Sequence, residues 1–199
     1  MPLIPPARPC IAGSSRALRI CTVALLGATL GALNPASAQT PAGPRSAPDL
    51  EKAARTIIAA AQYAVFVTLD STGHPQTRQV QPVAPDSGMV VRFATNPRSR
   101  KVAEVERDGR ASLHYFDPGS LAYVTLYGRA RLLRSAEDKN RYWNPAWTPF
   151  YRDRDTSVVL VEVVPERLEL VDIKRDIDGD PLTWRAPTLR FPRRPPLPR

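Results

Sequence analysis

The chain has 199 residues, with 28 Lys and Arg against 19 Asp and Glu, a formal charge of +9, two cysteines and two histidines. So little Cys and His argues against a disulfide-framed fold and against a thiolate or histidine-rich metal centre. With both cysteines, Cys10 and Cys21, near the N-terminus, the remainder must rely on an ordinary hydrophobic core.

Residues 1–38 read as a secretory signal peptide. Arg8, Arg16 and Arg19 form a basic start without an acid, and Ile20 to Leu33 is an apolar run too short to span a bilayer comfortably. Ala36 and Ala38 then occupy the small-residue positions of a cleavage site, and Ile20 is too large for the position before a lipid-modified Cys21. Cleavage after Ala38 predicts a periplasmic or secreted protein with no stable membrane insertion. The mature part keeps 25 basic and 19 acidic residues, because the leader carries three Arg and no acid. Nucleic acid is not an expected partner in that location. Much of the basic excess also lies in a Pro/Arg-rich tail, 176–199, whose composition favours an extended chain.

Residues 39–48 read as a linker, and 49–175 as the folded domain. Asp49 is a candidate N-cap for a helix with Leu50, Ala53, Ala54, Ile57 and Ile58 at helical spacing. Strand-like runs follow in "YAVFVTLD", "TRQVQPVA" and "MVVRFAT", separated by the turns "STGHPQ" and "PDSG". A short helix is expected over 100–106, with Gly109 as its stop. "RASLHYFD" and "AYVTLYGRARLL" form a long hairpin, Ser135 caps a further helix, and "NPAWTPFYRDRD" is an aromatic loop. "SVVLVEVV" and "RLELVDI" are two more strand candidates, separated by Pro165. Many short strands joined by tight turns, with few helices, predict a mainly β fold: a six- to seven-stranded antiparallel split barrel with short flanking helices.

The stretch "TNPRSRKVAE" places Arg98, Arg100 and Lys101 at the start of the short helix, where the dipole disfavours cations. An anion bound at that helix start would resolve the conflict, through charge-assisted hydrogen bonds from Arg and Lys. A solvated basic turn is the other reading. Ser99 is either a hydroxyl ligand or the N-cap, with Asn96 followed by Pro97 as the rival cap. Arg78, inside a strand, faces solvent or, on the side of Val80, a buried space where it needs an anionic partner. Tyr142, Trp143, Trp147, Phe150 and Tyr151 form either a barrel plug or a wall for a planar ligand. His114 alone, and the loop acids Asp153 and Asp155, make no catalytic constellation, so the catalytic residues are unknown and no metal site is expected. Any difficult chemistry would belong to a cofactor.

The segments "TRQV", "FATNPRSRK", "YGRARL" and "LVEVVPERLELVD", in this order, resemble the FMN-binding split-barrel superfamily that includes pyridoxamine 5′-phosphate oxidase, and in particular its general stress protein branch. The resemblance spans about Asp49 to Asp172. It implies FMN held by its phosphate at the interface of a homodimer. The flavin-lining segment falls on Arg78, Gln79 and Val80, a strand end on Ala94 and Thr95, and the phosphate-binding group on Ser99, Arg100 and Lys101. Tyr123 stands where the oxidase has Gln, and Ala94 where it usually has Tyr. The oxidase's C-terminal Arg/His segment has no counterpart in "DIDGDPLTWRAPTLRF". The implied function is flavin-dependent oxidation or reduction of an unidentified small molecule. The alternative is a non-catalytic module that holds flavin or haem.

Overall fold

The computed structural model describes residues 45–192. The leader assigned to 1–38, the first part of the linker and residues 193–199 lie outside this range. Helix α1 runs Ala47–Ala61 and is capped by Ser46 rather than Asp49. The Asp49 N–H donates to Ser46 Oγ at 3.4 Å, and the Ser46 hydroxyl donates to the Asp49 carboxylate at 2.6 Å. The helix therefore begins earlier than the sequence suggests, with Asp49 in the first turn, where the dipole favours an acid. Its buried face is Leu50, Ala53, Ala54, Ile57 and Ile58, as the apolar spacing requires.

The strands are β1 (Ala64–Leu69), β2 (Pro75–Val80), β3 (Val91–Thr95), β4 (Arg110–Asp117), β5 (Ala122–Leu133), β6 (Val159–Val171) and β7 (Thr188–Arg190). Two short helices, α2 (Arg100–Arg107) and α3 (Ala136–Arg141), flank them. Every strand pairing is antiparallel, in the order β2-β1-β4-β5-β6-β3, with β7 also on β6. The expected mainly β, antiparallel split-barrel architecture is the observed one. Its split lies between β2 and β3, the two ends of the path, beside which a backbone bond from Val83 N–H to the Arg92 carbonyl crosses at 2.9 Å.

The core lies inside the curled sheet and under α1. Phe66 and Phe93 meet edge to face at 5.0 Å, with Leu113, Leu126, Val161 and Leu168 fully buried around them. At about 25 cal/mol per Å² of apolar surface removed from water, such residues supply most of the driving force for folding.

The sequence suggests a break at Pro165, whereas β6 is continuous. Its outer edge pairs with β3 over Val159–Val163 and with β7 over Arg167–Glu169. Pro165 falls between these partners, so neither ladder requires the N–H it lacks. Opposite β5 the register slips between Tyr127 and Gly128, absorbing one extra residue of β6. Glycine is needed there because a Cβ on residue 128 would sit 2.0 Å from the Val164 carbonyl oxygen. The third strand also begins later than "MVVRFAT" predicts, since Met89 has φ 60° and belongs to the preceding turn. The region read as an extended tail from residue 176 contains structure too: Ile177 is buried and β7 adds to the sheet.

A closed polar network ties β3, β5 and β6 together. Buried Glu162 accepts from Arg92 Nε at 2.7 Å and from Arg131 Nε at 2.6 Å, one arginine on each carboxylate oxygen. Arg92 also donates to Asp86 at 3.1 Å and lies 4.0 Å from the Tyr142 ring centroid. Two cations meet two carboxylates, so the network is neutral.

Candidate functional site

The turn between β3 and α2 is built by its own polar residues. Asn96 Oδ1 accepts the Arg98 N–H at 2.8 Å, and the Ser99 N–H donates to the Asn96 carbonyl at 3.0 Å. Ser99, not Asn96, is the N-cap of α2, yet its side chain makes no capping bond. Its hydroxyl instead lies 3.4 Å from Thr95 Oγ1, which accepts a bond from Lys101 Nζ at 3.0 Å. Arg98 takes no part in this group.

Arg78 points to the half-buried side of β2, the side of Val80. Its partner is a residue that the sequence reading did not single out. Nη2 donates to Glu104 Oε2 at 2.5 Å, and Nη1 to Thr68 Oγ1 at 2.5 Å. The Thr68 hydroxyl donates in turn to Glu104 Oε2 at 2.5 Å. Arg100 Nε lies 2.9 Å from Glu104 Oε1 but off hydrogen-bond alignment, so that buried oxygen has no bonding partner among the described residues. Glu104 is 2% exposed, between Val102 and Val105 on the buried face of α2. Its i,i+4 spacing from Arg100 was the available clue.

These contacts set the charge. Burial alone would raise the Glu104 carboxyl, but hydrogen bonds from Thr68 and Arg78 and the nearby Arg78 and Arg100 charges hold it below the usual carboxylate range. Lys101 is displaced downward, first by burial and then by repulsion from Arg78, with Glu104 opposing. Three cations thus share one carboxylate, an excess of two positive charges at a helix start.

Beside this cluster the split opens into a cleft of about 280 Å³. Gln79, Val80 and Gln81 line one wall, Ala94, Thr95 and Lys101 the other, and Trp147, Phe150 and Tyr151 a third. Trp147 is mostly buried against Leu133, Val158 and Leu160, while Phe150 is 75% exposed. The aromatic loop therefore contributes both a plug and a wall. Arg78, Ser99 and Arg100 are not among the lining residues: the two arginines meet Glu104, and Ser99 meets Thr95. Tyr123 is elsewhere, opposite Phe116 and Val171 on β5, with its ring 5.7 Å from His114. His114 shares a 2.9 Å hydrogen bond with Thr125, and burial pushes its pKa down, so it is neutral at pH 7. Asp153 accepts from its own loop, including the Asp155 N–H at 2.8 Å. Among the described residues no three His, Cys, Asp or Glu side chains group as metal ligands, and no helix is long and apolar enough to cross a membrane.

The cluster fits a phosphate group: it holds surplus cations, two hydroxyls and a helix start that no side chain caps. Comparison with known proteins agrees at the level of family. The family model described as pyridoxamine 5′-phosphate oxidase matches residues 50–172. No curated protein matches the sequence. Among solved structures, the general stress protein 26 of Bacillus anthracis is 19% identical with a TM-score of 0.56, covering 71% of this chain and 98% of its own. A pyridoxamine 5′-phosphate oxidase-related, FMN-binding protein of Nostoc punctiforme is 14% identical with a TM-score of 0.51, covering 75% and 97%. A haem-binding protein of Mycobacterium smegmatis is 23% identical with a TM-score of 0.52, covering 64% and 54%. These identities establish a shared fold, and the family match spans most of α1 and strands β1 to β6. The chain belongs to the pyridoxamine 5′-phosphate oxidase family.

Proposed function

We propose that this chain binds FMN in the cleft between β2, β3 and the start of α2, and that as an exported homodimer it is a flavin-dependent oxidoreductase acting on a small molecule. The observation that carries this reading is the charge balance beside the cleft. Arg78, Arg100 and Lys101 face the single carboxylate of Glu104, leaving two positive charges for a phosphate dianion. In this reading Arg100 and Lys101 hold the phosphate together with the hydroxyls of Ser99 and Thr95. Gln79, Val80 and Ala94 lie along the flavin, and the aromatic loop limits water on the remaining side. Tyr123, which does not line the cleft, is left to the second protomer.

Bound FMN would supply the hydride- or electron-accepting ring, and the protein would supply binding and orientation. The described residues lining the cleft include no carboxylate and no histidine. That observation, with the haem-binding relative, favours a second reading in which the chain holds a flavin or haem without turnover. The first test is to add FMN to the purified protein, pass it through gel filtration and record the visible spectrum. A retained flavin band and saturable quenching of FMN fluorescence are expected; no retained flavin and no measurable affinity would refute flavin binding. Turnover with NAD(P)H or another electron donor then separates the enzyme from the carrier.

A further inference from the structure

Two connectors leave the sheet at the same end: the turn between β4 and β5, residues 118–121, and the long link from β6 to β7, residues 172–187. Register places them together, because Tyr123 pairs with Val171 just inside both, and Lys174 Nζ donates to the Gly119 carbonyl at 2.7 Å. Apart from Phe150 in the cleft wall, the most exposed large apolar side chains among the described residues stand on these connectors. They are Leu121, Ile173, Leu182 and Trp184, the last two at 90% and 88% exposure. Single exposed residues of this kind need no explanation, but a group at one end of a molecule marks an interaction surface.

The connectors hold these side chains outward. Asp180 Oδ1 accepts the N–H groups of Leu182 at 3.1 Å and Thr183 at 2.7 Å, and the Asp180 carbonyl accepts the Trp184 N–H at 2.7 Å. In the other connector, Asp117 accepts the Gly119 N–H at 2.9 Å and the Ser120 hydroxyl at 2.5 Å. Leu121 has φ 58° and Trp184 φ 57°, a region costly for bulky side chains. Neither side chain is buried in the core, so no packing gain inside the protein offsets that strain.

Polarity and charge indicate the partner. The N–H groups at the tips are bonded within their own loops, so the tips present apolar side chains that need no hydrogen-bonding partner, as entry into a bilayer surface requires. Tryptophan favours the membrane–water interface, where one end of its ring is apolar and the other wet. Residues 173–185 are neutral, with Lys174, Arg175 and Arg185 against Asp176, Asp178 and Asp180, but residues 186–199 carry four arginines and no acid. Arg190, the first of the four, stands opposite Arg167 of β6, a like-charge pair that an outside anion relieves.

We infer that this end of the protein docks on an anionic phospholipid bilayer, with Leu182 and Trp184 entering the boundary between headgroups and acyl chains and the arginines of 186–199 meeting lipid phosphates. The contact is peripheral, because it uses loop side chains and no spanning element. It stands independently of FMN, since none of these residues lines the cleft.

The probe is a vesicle of equal parts phosphatidylglycerol and phosphatidylcholine, set against one of phosphatidylcholine alone, in co-sedimentation with the purified protein. Binding to the anionic vesicles is expected, at least about tenfold weaker to the neutral ones and reduced by about 0.5 M salt. Tryptophan emission should shift to the blue on binding. Trp184→Phe should keep most of the binding but lose that shift, since the other two tryptophans, Trp143 and Trp147, lie in the aromatic loop. Trp184→Gly combined with Leu182→Ser should lower vesicle affinity about tenfold or more. Its thermal midpoint should hold or rise, because glycine accepts the positive φ at no cost. No binding to the anionic vesicles would overturn the inference. So would unchanged affinity in the double variant, which would leave charge alone as the cause, or a blue shift that follows protein concentration without lipid, the sign of a second copy covering the patch.

Discussion

Glu162 and Glu104 are both buried to 2% exposure, and both sit among arginines, but they form opposite kinds of site. At Glu162 each carboxylate oxygen has its own arginine, and Asp86 balances the second positive charge. Everything there is spent on joining three strands. At Glu104, among the described residues, one oxygen takes two hydrogen bonds and the other none, while Lys101 stands near without an acid of its own. A buried carboxylate with arginines is thus not diagnostic of function; the surplus charge and the unsatisfied oxygen are what distinguish a ligand site from a rivet.

The strongest way to break this contrast is Glu162→Ala. It leaves Arg92 buried without its main partner and should cost about 3–5 kcal/mol in a denaturant titration. FMN affinity of the protein that remains folded should not change. Next is the pair Arg100→Ala with Lys101→Ala. Losing two charge-assisted hydrogen bonds should weaken FMN binding about 100-fold by fluorescence titration. Because Arg100 is largely exposed, the thermal midpoint should move by no more than a few degrees. A stability loss comparable to that of Glu162→Ala would make the two clusters alike.

Glu104→Gln sharpens the difference, because stability and affinity should move in opposite directions. The amide can still accept from Thr68, but Arg78 loses its counter-charge. A loss of about 1–3 kcal/mol is expected, together with tighter binding of FMN or inorganic phosphate. The pH dependence carries a defined sign. A carboxyl held below its unfolded value contributes stability above that value, about 4.3, and loses it as pH falls through the lower folded value. The gap between the parent protein and Glu104→Gln should therefore narrow below about pH 4. The smallest effect concerns Lys101. Its lowered pKa means that FMN affinity should begin to decline at an alkaline pH below that needed to discharge an ordinary lysine. Riboflavin, which lacks the phosphate, should show no such decline.

Much of this architecture was legible in the sequence because its signals are local. Strand-like runs bounded by turn residues marked β1, β4 and β5, helical spacing marked the buried face of α1, and Ser135 capped α3 as expected. Pro165 misled because its tolerance depends on which strands flank β6, a fact of topology rather than of the segment. β7 was hidden by the Pro- and Arg-rich composition around it. At the site, the misplaced cations of α2 pointed to the cluster, and the direction of Arg78 followed only when Glu104 was located on a different element.

The division of β6 between two edge partners bears on aggregation. β3 shields only its first half, and the second half is covered by β7, which lies beyond the matched residues 50–172. A chain ending after Asp172 would keep the barrel's main strands but bare the backbone groups of Arg167–Glu169, a short template for strand addition by another molecule. Three residues near the C-terminus, Thr188, Leu189 and Arg190, thus act as a guard strip for the sheet. Shortened versions of this protein should become prone to self-association before they lose their fold.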